Sequence, residues 1–383
     1  MELTAEQQRR RAAFRKFADE HIVPHANAWD RAEVMPAEIV GQLASKGYLG
    51  AVLPADQGGA GLDMVEFGLL NEELGRGCSS VRSLLTVHSM VALAISRWGT
   101  EEQKAECLEK LGSGHTIAAF ALTESEAGSD AREIKTEAVA SGDDFLLSGH
   151  KKWITFAQIA DLFLVFARSP QGPCAFLLER NMPGLTISPV LGMLGTRASM
   201  MAELRLEKCR VAKRNLLGPP GFGLSHIASS ALDCGRYSVA WGCVGIAQAC
   251  LESCLQYTGR RKQFGTLLRD HQLVQRMIAH MVVGVKAARL LCYHAGRLKD
   301  AGDPASMMET SIAKYFACMT AAEAARDAVQ IHGANGCSSE YSAQRFYRDA
   351  KIMEIIEGSN EIQEITIAKG ACQEVADCPA IAS

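Results

Sequence analysis

Glu357 follows Ile355 and Ile356 and precedes Gly358 and Ser359, the last a natural N-cap for a final helix. A carboxylate in such an apolar neighbourhood is pushed toward the working pH, which is what a general base requires. The same glutamate also reads as a simple partner for a helix dipole. Thr123 and Thr155 bring hydroxyls to strand ends, and Trp153 brings a large flat ring. Taken alone, these are β-formers and a core aromatic. Gly128-Ser129 offers a tight turn whose N–H groups and hydroxyl suit a pyrophosphate or an amide, or an ordinary loop. The Arg261 guanidinium would fork onto phosphate, though a surface ion pair is the usual fate of an arginine. Gly218-Pro219-Pro220-Gly221-Phe222-Gly223 is glycine-rich, but its prolines and the lack of a strand-turn-helix context exclude a dinucleotide fingerprint. The ten histidines show no metal spacing, so no metal is expected, and His332 reads as structural.

The elements that must position these groups fall into three segments. Helical periodicity runs over 1–113, with capping-box spacings at Thr4/Gln7 and Thr100/Gln103. Over 114–220 the period shortens, and 145–147, 162–167, 174–178, 185–190 and 202–207 read as strands. Over 221–383 the helical period returns. One long helix is expected from 270 to about 298, and Asp303-Pro304 starts the next. The fold class is therefore α+β, with helices, then strands, then helices.

Composition sets limits on partners. The chain has 383 residues, 48% hydrophobic and 22% charged, with a net charge of −3. Neither nucleic acid nor an anionic membrane is expected as its partner. The Arg9-Arg10-Arg11 run reads as a solvated helix face. Thirteen cysteines are an odd number without a CxxC pair, and many lie in apolar helical stretches, which fits free thiols in a reducing cytoplasm. No signal peptide is evident at the N-terminus. No run reaches the roughly 18 uninterrupted apolar residues of a membrane span. The best candidate, 278–292, is broken by His280, Lys286 and Arg289 and reads as a buried helix.

Five strings, in order and spacing, resemble the acyl-CoA dehydrogenase family across nearly the whole chain. They are Thr123-Glu124-Ser125-Glu126-Ala127-Gly128-Ser129-Asp130, Lys152-Trp153-Ile154-Thr155, Arg261-Lys262-Gln263-Phe264-Gly265, Gln330-Ile331-His332-Gly333, and Arg348-Asp349-Ala350-Lys351-Ile352 leading into Ile356-Glu357-Gly358-Ser359. The resemblance implies an N-terminal α-helical domain, a β-barrel-like middle domain and a C-terminal four-helix bundle. It implies FAD as cofactor, with Thr123 on the flavin pyrimidine, Thr155 on N5 and Trp153 against the ring. Ser129 would sit at the flavin–substrate junction. Further FAD contacts are expected from Phe120, Leu122, Gly128, Phe264, Gln272, Gly333, Ala334, Ser359 and Glu361. Arg261 and Gln330 would reach the FAD of a neighbouring subunit, so a homodimer or homotetramer is expected.

Glu357 would be the base that removes the α-proton of an acyl thioester, with Asp233, Arg236 and Gly358 near the substrate. Some members carry the base just before an arginine in the first helix of the C-terminal domain. Here that place reads Asp233-Cys234-Gly235-Arg236, which leaves Glu357 without a rival. A narrower likeness, through Cys78-Ser79-Ser80-Val81-Arg82-Ser83 and the stretch after Gly235, is to members of polyketide and peptide antibiotic pathways. These act on acyl groups tethered to an acyl carrier protein, including hydroxymalonyl and methoxymalonyl extender units. The alternative is a CoA-dependent enzyme of fatty or branched-chain amino acid breakdown; in either case an electron-transfer flavoprotein is a candidate acceptor. Phe156-Ala157, Ala334 and Glu364 depart from the common family pattern.

Overall fold

The computed structural model describes residues 2–376. Six helices open the chain: α1 (Ala5–His21), α2 (Ala26–Ala32), α3 (Ala37–Ser45), α4 (Met64–Gly77), α5 (Ser79–Trp98) and α6 (Glu101–Gly112). Thr4 accepts the Gln7 N–H at 3.1 Å while Gln7 Oε1 accepts the Thr4 N–H at 3.1 Å, so two otherwise unpaired donors are satisfied reciprocally. Thr100 and Gln103 repeat the device at α6. A third box, Asp63 with Glu66, starts α4, where the sequence reading placed none.

Eight strands follow: β1 (Ala118–Ala121), β2 (Glu137–Ser141), β3 (Asp144–Ile154), β4 (Leu162–Ser169), β5 (Gly172–Glu179), β6 (Leu185–Pro189), β7 (Ala202–Ala212) and β8 (Leu216–Leu217). They form one mixed sheet in the order β6-β7-β3-β2-β4-β5-β8, with β1 branching onto β4 in parallel. All five expected strand segments fall on strands of this sheet, with Val190 one residue beyond the end of β6. The chain ends in α7 (Ser229–Thr258), α8 (Gln272–Asp300), α9 (Ser306–His332), α10 (Ala343–Met353) and α11 (Asn360–Ala376), with a π-helical turn, Gly223–Ala228, leading into α7.

The two helical segments, far apart in sequence, share one apolar core. Residues of α1, α4 and α5 pack with residues of α7, α8, α9 and α10 in a single cluster, with α7 at its centre. α5 and the helix 223–258 are long and apolar enough to cross a membrane, although neither stood out by uninterrupted runs. Their most apolar windows are 89% and 78% buried inside the protein, as core helices would be. By contrast, the stretch 278–292 in α8 is not buried all round. Met281, Val285, Ala288 and Cys292 face the core, while Val283 and Leu290 are exposed. The Arg9-Arg10-Arg11 run is likewise only partly solvated. Arg9 is exposed, but Arg11 reaches Glu72 at 3.0 Å and Glu73 at 3.6 Å, two carboxylates with fully buried side chains that need a cation. The twelve described cysteines are free.

His88, fully buried on α5, ties α5 to α6 and β1. Its Nδ1 accepts the Ala118 N–H at 3.2 Å, which leaves Nε2 to donate to Leu111 O at 3.0 Å. That geometry fixes the neutral tautomer, and burial pushes the imidazole pKa down to about 4. Because the folded pKa lies below the unfolded value, the unfolded chain binds the proton first as pH falls. Stability contributed by neutral His88 is therefore present above about pH 6.5 and lost toward pH 4, by about 3 kcal/mol in all. Urea unfolding across this window should show that slope, and His88→Gln should flatten it even if the variant is less stable overall.

Candidate active site

A cavity of about 570 Å³ lies where the helical body meets the sheet. Its wall is drawn from α5, the end of β1 and the loop after it, the end of β3, α7, and the α10–α11 connection. Phe120, Leu122, Thr123, Gly128, Ser129, Trp153, Thr155, Arg236, Glu357, Gly358 and Ser359 all line it. These residues span more than two hundred positions of sequence, and the fold brings them to one place.

The loop carrying Thr123 and Ser129 is held to β3 by a buried clamp that the sequence reading missed. Lys151 Nζ donates to Glu124 Oε1 at 2.7 Å and to Leu122 O at 3.0 Å. Glu124 also accepts from Lys135 N at 2.6 Å and from Thr136 N at 3.0 Å. Burial lowers the Lys151 pKa to about 8, and hydrogen bonds from Lys151 and Thr136 hold the Glu124 carboxyl below its ordinary value against the cost of its own burial. Lys152 N donates to Thr123 O at 2.9 Å, which sets Thr123 against the strand that delivers Trp153 and Thr155. Trp153 is 44% exposed and has φ +61°, a left-handed conformation unusual for an aromatic residue. The fold thus holds a flat ring uncovered on the cavity wall.

Glu357 also has a left-handed backbone, with φ +55°, in the turn between α10 and α11. Its Oε2 is covered and has no hydrogen-bond partner among the described residues. Burial raises its pKa above the ordinary carboxylate value, and the cations of Arg236, Arg82 and Lys314 offset part of that rise. Gly235 makes room for it: a Cβ built there would stand 2.5 Å from Glu357 Oε2. The turn is fixed through its carbonyls. Arg236 Nε donates to Glu357 O at 3.1 Å, while Lys314 Nζ and Gln363 Nε2 donate to Gly358 O at 2.9 and 3.1 Å. The Glu357 N–H carries no backbone hydrogen bond among the described residues. An unpartnered N–H beside a base of raised pKa is an arrangement for taking a proton next to a polarised carbonyl.

The remaining expected residues lie outside this cavity. Asp233 pairs with Lys299 and does not line it. Glu361 is exposed on the first turn of α11, where the nearby Ser359 hydroxyl helps hold its carboxyl below the ordinary value. Arg261, Phe264, Gln272, Gln330, Gly333 and Ala334 are all exposed, with Phe264 at 96%. They gather about the ends of α7 and α9. There Tyr257 stacks on His332 with ring centroids 4.3 Å apart and its Oη accepts from Asn335 Nδ2 at 3.0 Å. His332, hydrogen-bonded to Ala328 O at 2.8 Å, serves that junction. The sequence reading also missed Arg82, Ser83 and Thr86, which α5 contributes to the cavity wall. Arg82 and Ser83 stood in the string that carries the narrower likeness but were given no site role. No group of three or more His, Cys, Asp or Glu among the described residues is arranged to hold a metal ion.

Comparison with known proteins agrees with this geometry. The models for the acyl-CoA dehydrogenase N-terminal, middle and C-terminal domains match residues 4–115, 119–209 and 223–372. The probable acyl-CoA dehydrogenase YngJ of Bacillus subtilis is 39% identical over 375 residues, covering 96% of this chain and 98% of that protein. The rat mitochondrial short-chain specific acyl-CoA dehydrogenase is 38% identical, covering 96% and 90%. Among solved structures, butyryl-CoA dehydrogenase from Megasphaera elsdenii superposes with a TM-score of 0.94 at 34% identity, covering 97% and 99%. The prolyl acyl carrier protein oxidase AnaB gives 0.92 at 30% identity, covering 97% and 100%. FkbI, described for biosynthesis of a methoxymalonyl extender unit, gives 0.87 at 34%, covering 95% and 99%.

Proposed function

Because this chain belongs to the acyl-CoA dehydrogenase family, a FAD-dependent group of oxidoreductases, we propose that it oxidises a short acyl thioester with Glu357 as its base. The observation that carries this is the Glu357 carboxylate, its Oε2 covered and without a partner among the described residues, facing the same cavity as the uncovered Trp153 ring. The flavin end of FAD fits this wall: a flat indole, the Thr123 and Thr155 hydroxyls, and the Gly128-Ser129 turn. When bound, FAD supplies the acceptor for the substrate's β-hydride. The chain's own part is to polarise the thioester carbonyl with the Glu357 N–H, to remove the α-proton with the Glu357 carboxylate, and to keep water out with Ile352, Ile355 and Ile356. The exposed group of Arg261, Phe264, Gln272, Gln330, Gly333 and Ala334 suits the phosphate and adenosine end of a FAD held by a neighbouring copy, with Arg261 as the phosphate fork. Asp233 and Glu361 flank the cavity-lining residues in sequence and are proposed to act from its margin.

An acyl carrier protein is the tether we favour, supported by the likeness to AnaB and FkbI over nearly the full chain. Coenzyme A is the second reading, favoured by the 38–39% identical relatives, whose names are those of acyl-CoA dehydrogenases. Anaerobic mixing of FAD-loaded protein with the same short acyl group on each tether separates the two. Flavin bleaching by the carrier-protein thioester at a rate at least about tenfold above the CoA thioester is the expected result. The reverse order assigns the enzyme to CoA, and an electron-transfer flavoprotein is the proposed electron acceptor in either case.

A further inference from the structure

Cys243 on α7 and Cys318 on α9 stand with their sulfurs 3.6 Å apart, both fully buried inside the helical core. Cys318 Sγ donates to Met353 O at 3.2 Å, so the hydrogen bond between the two thiols is donated by Cys243. Two buried cations flank the pair. Lys314, one turn before Cys318 on α9, donates to Gly358 O and Asn360 Oδ1, while Arg82 donates to Thr86 Oγ1, Ser83 Oγ and Met353 Sδ. Neither cation has a carboxylate at ion-pair distance among the described residues.

These neighbours set Cys318 apart from the other interior thiols. Burial pushes the Cys318 thiol up, yet the hydrogen bond from Cys243 and the charges of Lys314 and Arg82 outweigh it and hold the thiol below its ordinary value. Cys250 and Cys292 are equally buried, but there burial prevails and drives both well above that value. The thiolate is the nucleophilic form, so Cys318 is the reactive member of the pair and Cys243 the one placed to resolve it. The pair lies one layer behind the cavity wall. Arg82, which lines the cavity, passes over Gly242, where a Cβ would stand 2.8 Å from its Nε, and it bonds Met353, the residue that Cys318 also bonds.

We propose that Cys243 and Cys318 form a reversible disulfide, with hydrogen peroxide as oxidant, and that the bond is a redox switch acting on the turn that carries Glu357. The Cys318 thiolate attacks one peroxide oxygen, the O–O bond breaks, and the departing hydroxide takes up the proton that Cys318 gave up. The Cys243 sulfur then attacks the sulfenic acid so formed, the S–O bond breaks, and that oxygen leaves as a second water with the Cys243 proton. Two thiols lose two electrons, and one peroxide becomes two waters. Bringing the sulfurs from 3.6 Å to the roughly 2.0 Å of a bond draws α7 and α9 together and removes the donor to Met353 O. α7 carries Gly235 and Arg236 two turns earlier, α9 carries Lys314 one turn earlier, and α10 ends at Met353, so three supports of the Glu357 turn are disturbed at once. Formation of the bond is independent of the dehydrogenase reading, and its effect on rate rests on that reading.

The test treats FAD-loaded protein with a small excess of hydrogen peroxide, removes the excess with catalase, alkylates the remaining thiols under denaturing conditions and maps the peptides by mass spectrometry. The expected product is a linked pair of peptides holding Cys243 and Cys318, two hydrogens lighter than the dithiol, appearing before any other cysteine is modified. Flavin bleaching by an acyl thioester should slow by at least about tenfold in the treated protein and recover with dithiothreitol. Cys318→Ser should lose the sensitivity to peroxide. Cys243→Ser should keep it but lose the recovery, because an unresolved Cys318 goes on to sulfinic acid. Oxidation of the exposed Cys337 or Cys372 while Cys243 and Cys318 stay fully alkylable overturns the proposal. So does a linked pair whose rate is unchanged, or undiminished sensitivity in Cys318→Ser. Should the serine variants fail to fold, the wild-type peptide map and the recovery with dithiothreitol decide the matter. If no acyl thioester bleaches the untreated protein, the dehydrogenase reading falls and the rate effect with it, while the map, which needs no substrate, still decides whether the bond forms.

Discussion

Glu357→Gln is expected to give a yellow, folded protein whose flavin reduction by substrate is slower by roughly 10²–10⁴-fold. The amide keeps the size and most of the packing of the carboxylate but has no basic oxygen for the α-proton. FAD uptake should persist, because Thr123, Trp153, Thr155 and the Gly128-Ser129 turn are untouched. The pH profile is the sharper readout. A base works only when deprotonated, so kcat/KM for wild type should fall as pH drops through the Glu357 pKa. Burial raises that pKa, so the fall begins at a higher pH than an ordinary carboxylate would show. In Glu357→Gln the acid limb should disappear along with most of the rate. A variant that keeps both its rate and the acid limb would place the base elsewhere.

Gly235→Ala should be nearly as damaging although it removes no functional group. The added methyl would meet Glu357 Oε2 at 2.5 Å, its Cδ at 2.8 Å and Met90 Sδ at 2.9 Å. The first two atoms are the free end of a side chain that can swing away, so the fold should lose only about 1–3 kcal/mol. The base, however, leaves its place, and a displacement of about 1 Å at a reacting group is enough to cost about 10²-fold. Rapid mixing for flavin reduction, paired with a thermal melt, reads the two effects separately. Loss of rate with a near-normal melt is the expected pattern. An unchanged rate would mean that the working carboxylate does not occupy the recess over Gly235.

Much of this site was legible because its residues carry local signatures. The family resemblance named eleven residues that the fold brings to one cavity, eight of them inside the motif strings themselves, and the alternation of 202–207 declared a strand before its partners were known. The capping boxes at Thr4 and Thr100 announced themselves through a three-residue spacing. What stayed hidden depends on partners far away in sequence. Glu124 and Lys151 lie 27 positions apart, and nothing local distinguishes a buried clamp from two solvated charges. Arg11 looked like part of a solvated run because Glu72 and Glu73, which draw it inward, sit sixty residues on. Arg82 stood in the string behind the narrower likeness, but nothing local showed that it faces the cavity. Gly235 was read as the lack of a carboxylate, whereas its role in space is to leave a recess for one. Periodicity reports which face of an element is apolar; it does not report which charge lies opposite.

The contact between Gly235 and the tip of Glu357 bears on how such enzymes diverge. Two chain segments more than a hundred residues apart, the first turns of α7 and the α10–α11 connection, point at one spot. A carboxylate could be delivered there from either segment, and whichever supplies it obliges the other to stay small. If Glu357 is the base, as proposed, the proton-abstracting group has a fixed address in space and a movable one in the gene. A lineage can transfer the job from one segment to the other by two substitutions, passing through an intermediate that has either two acids in conflict or none.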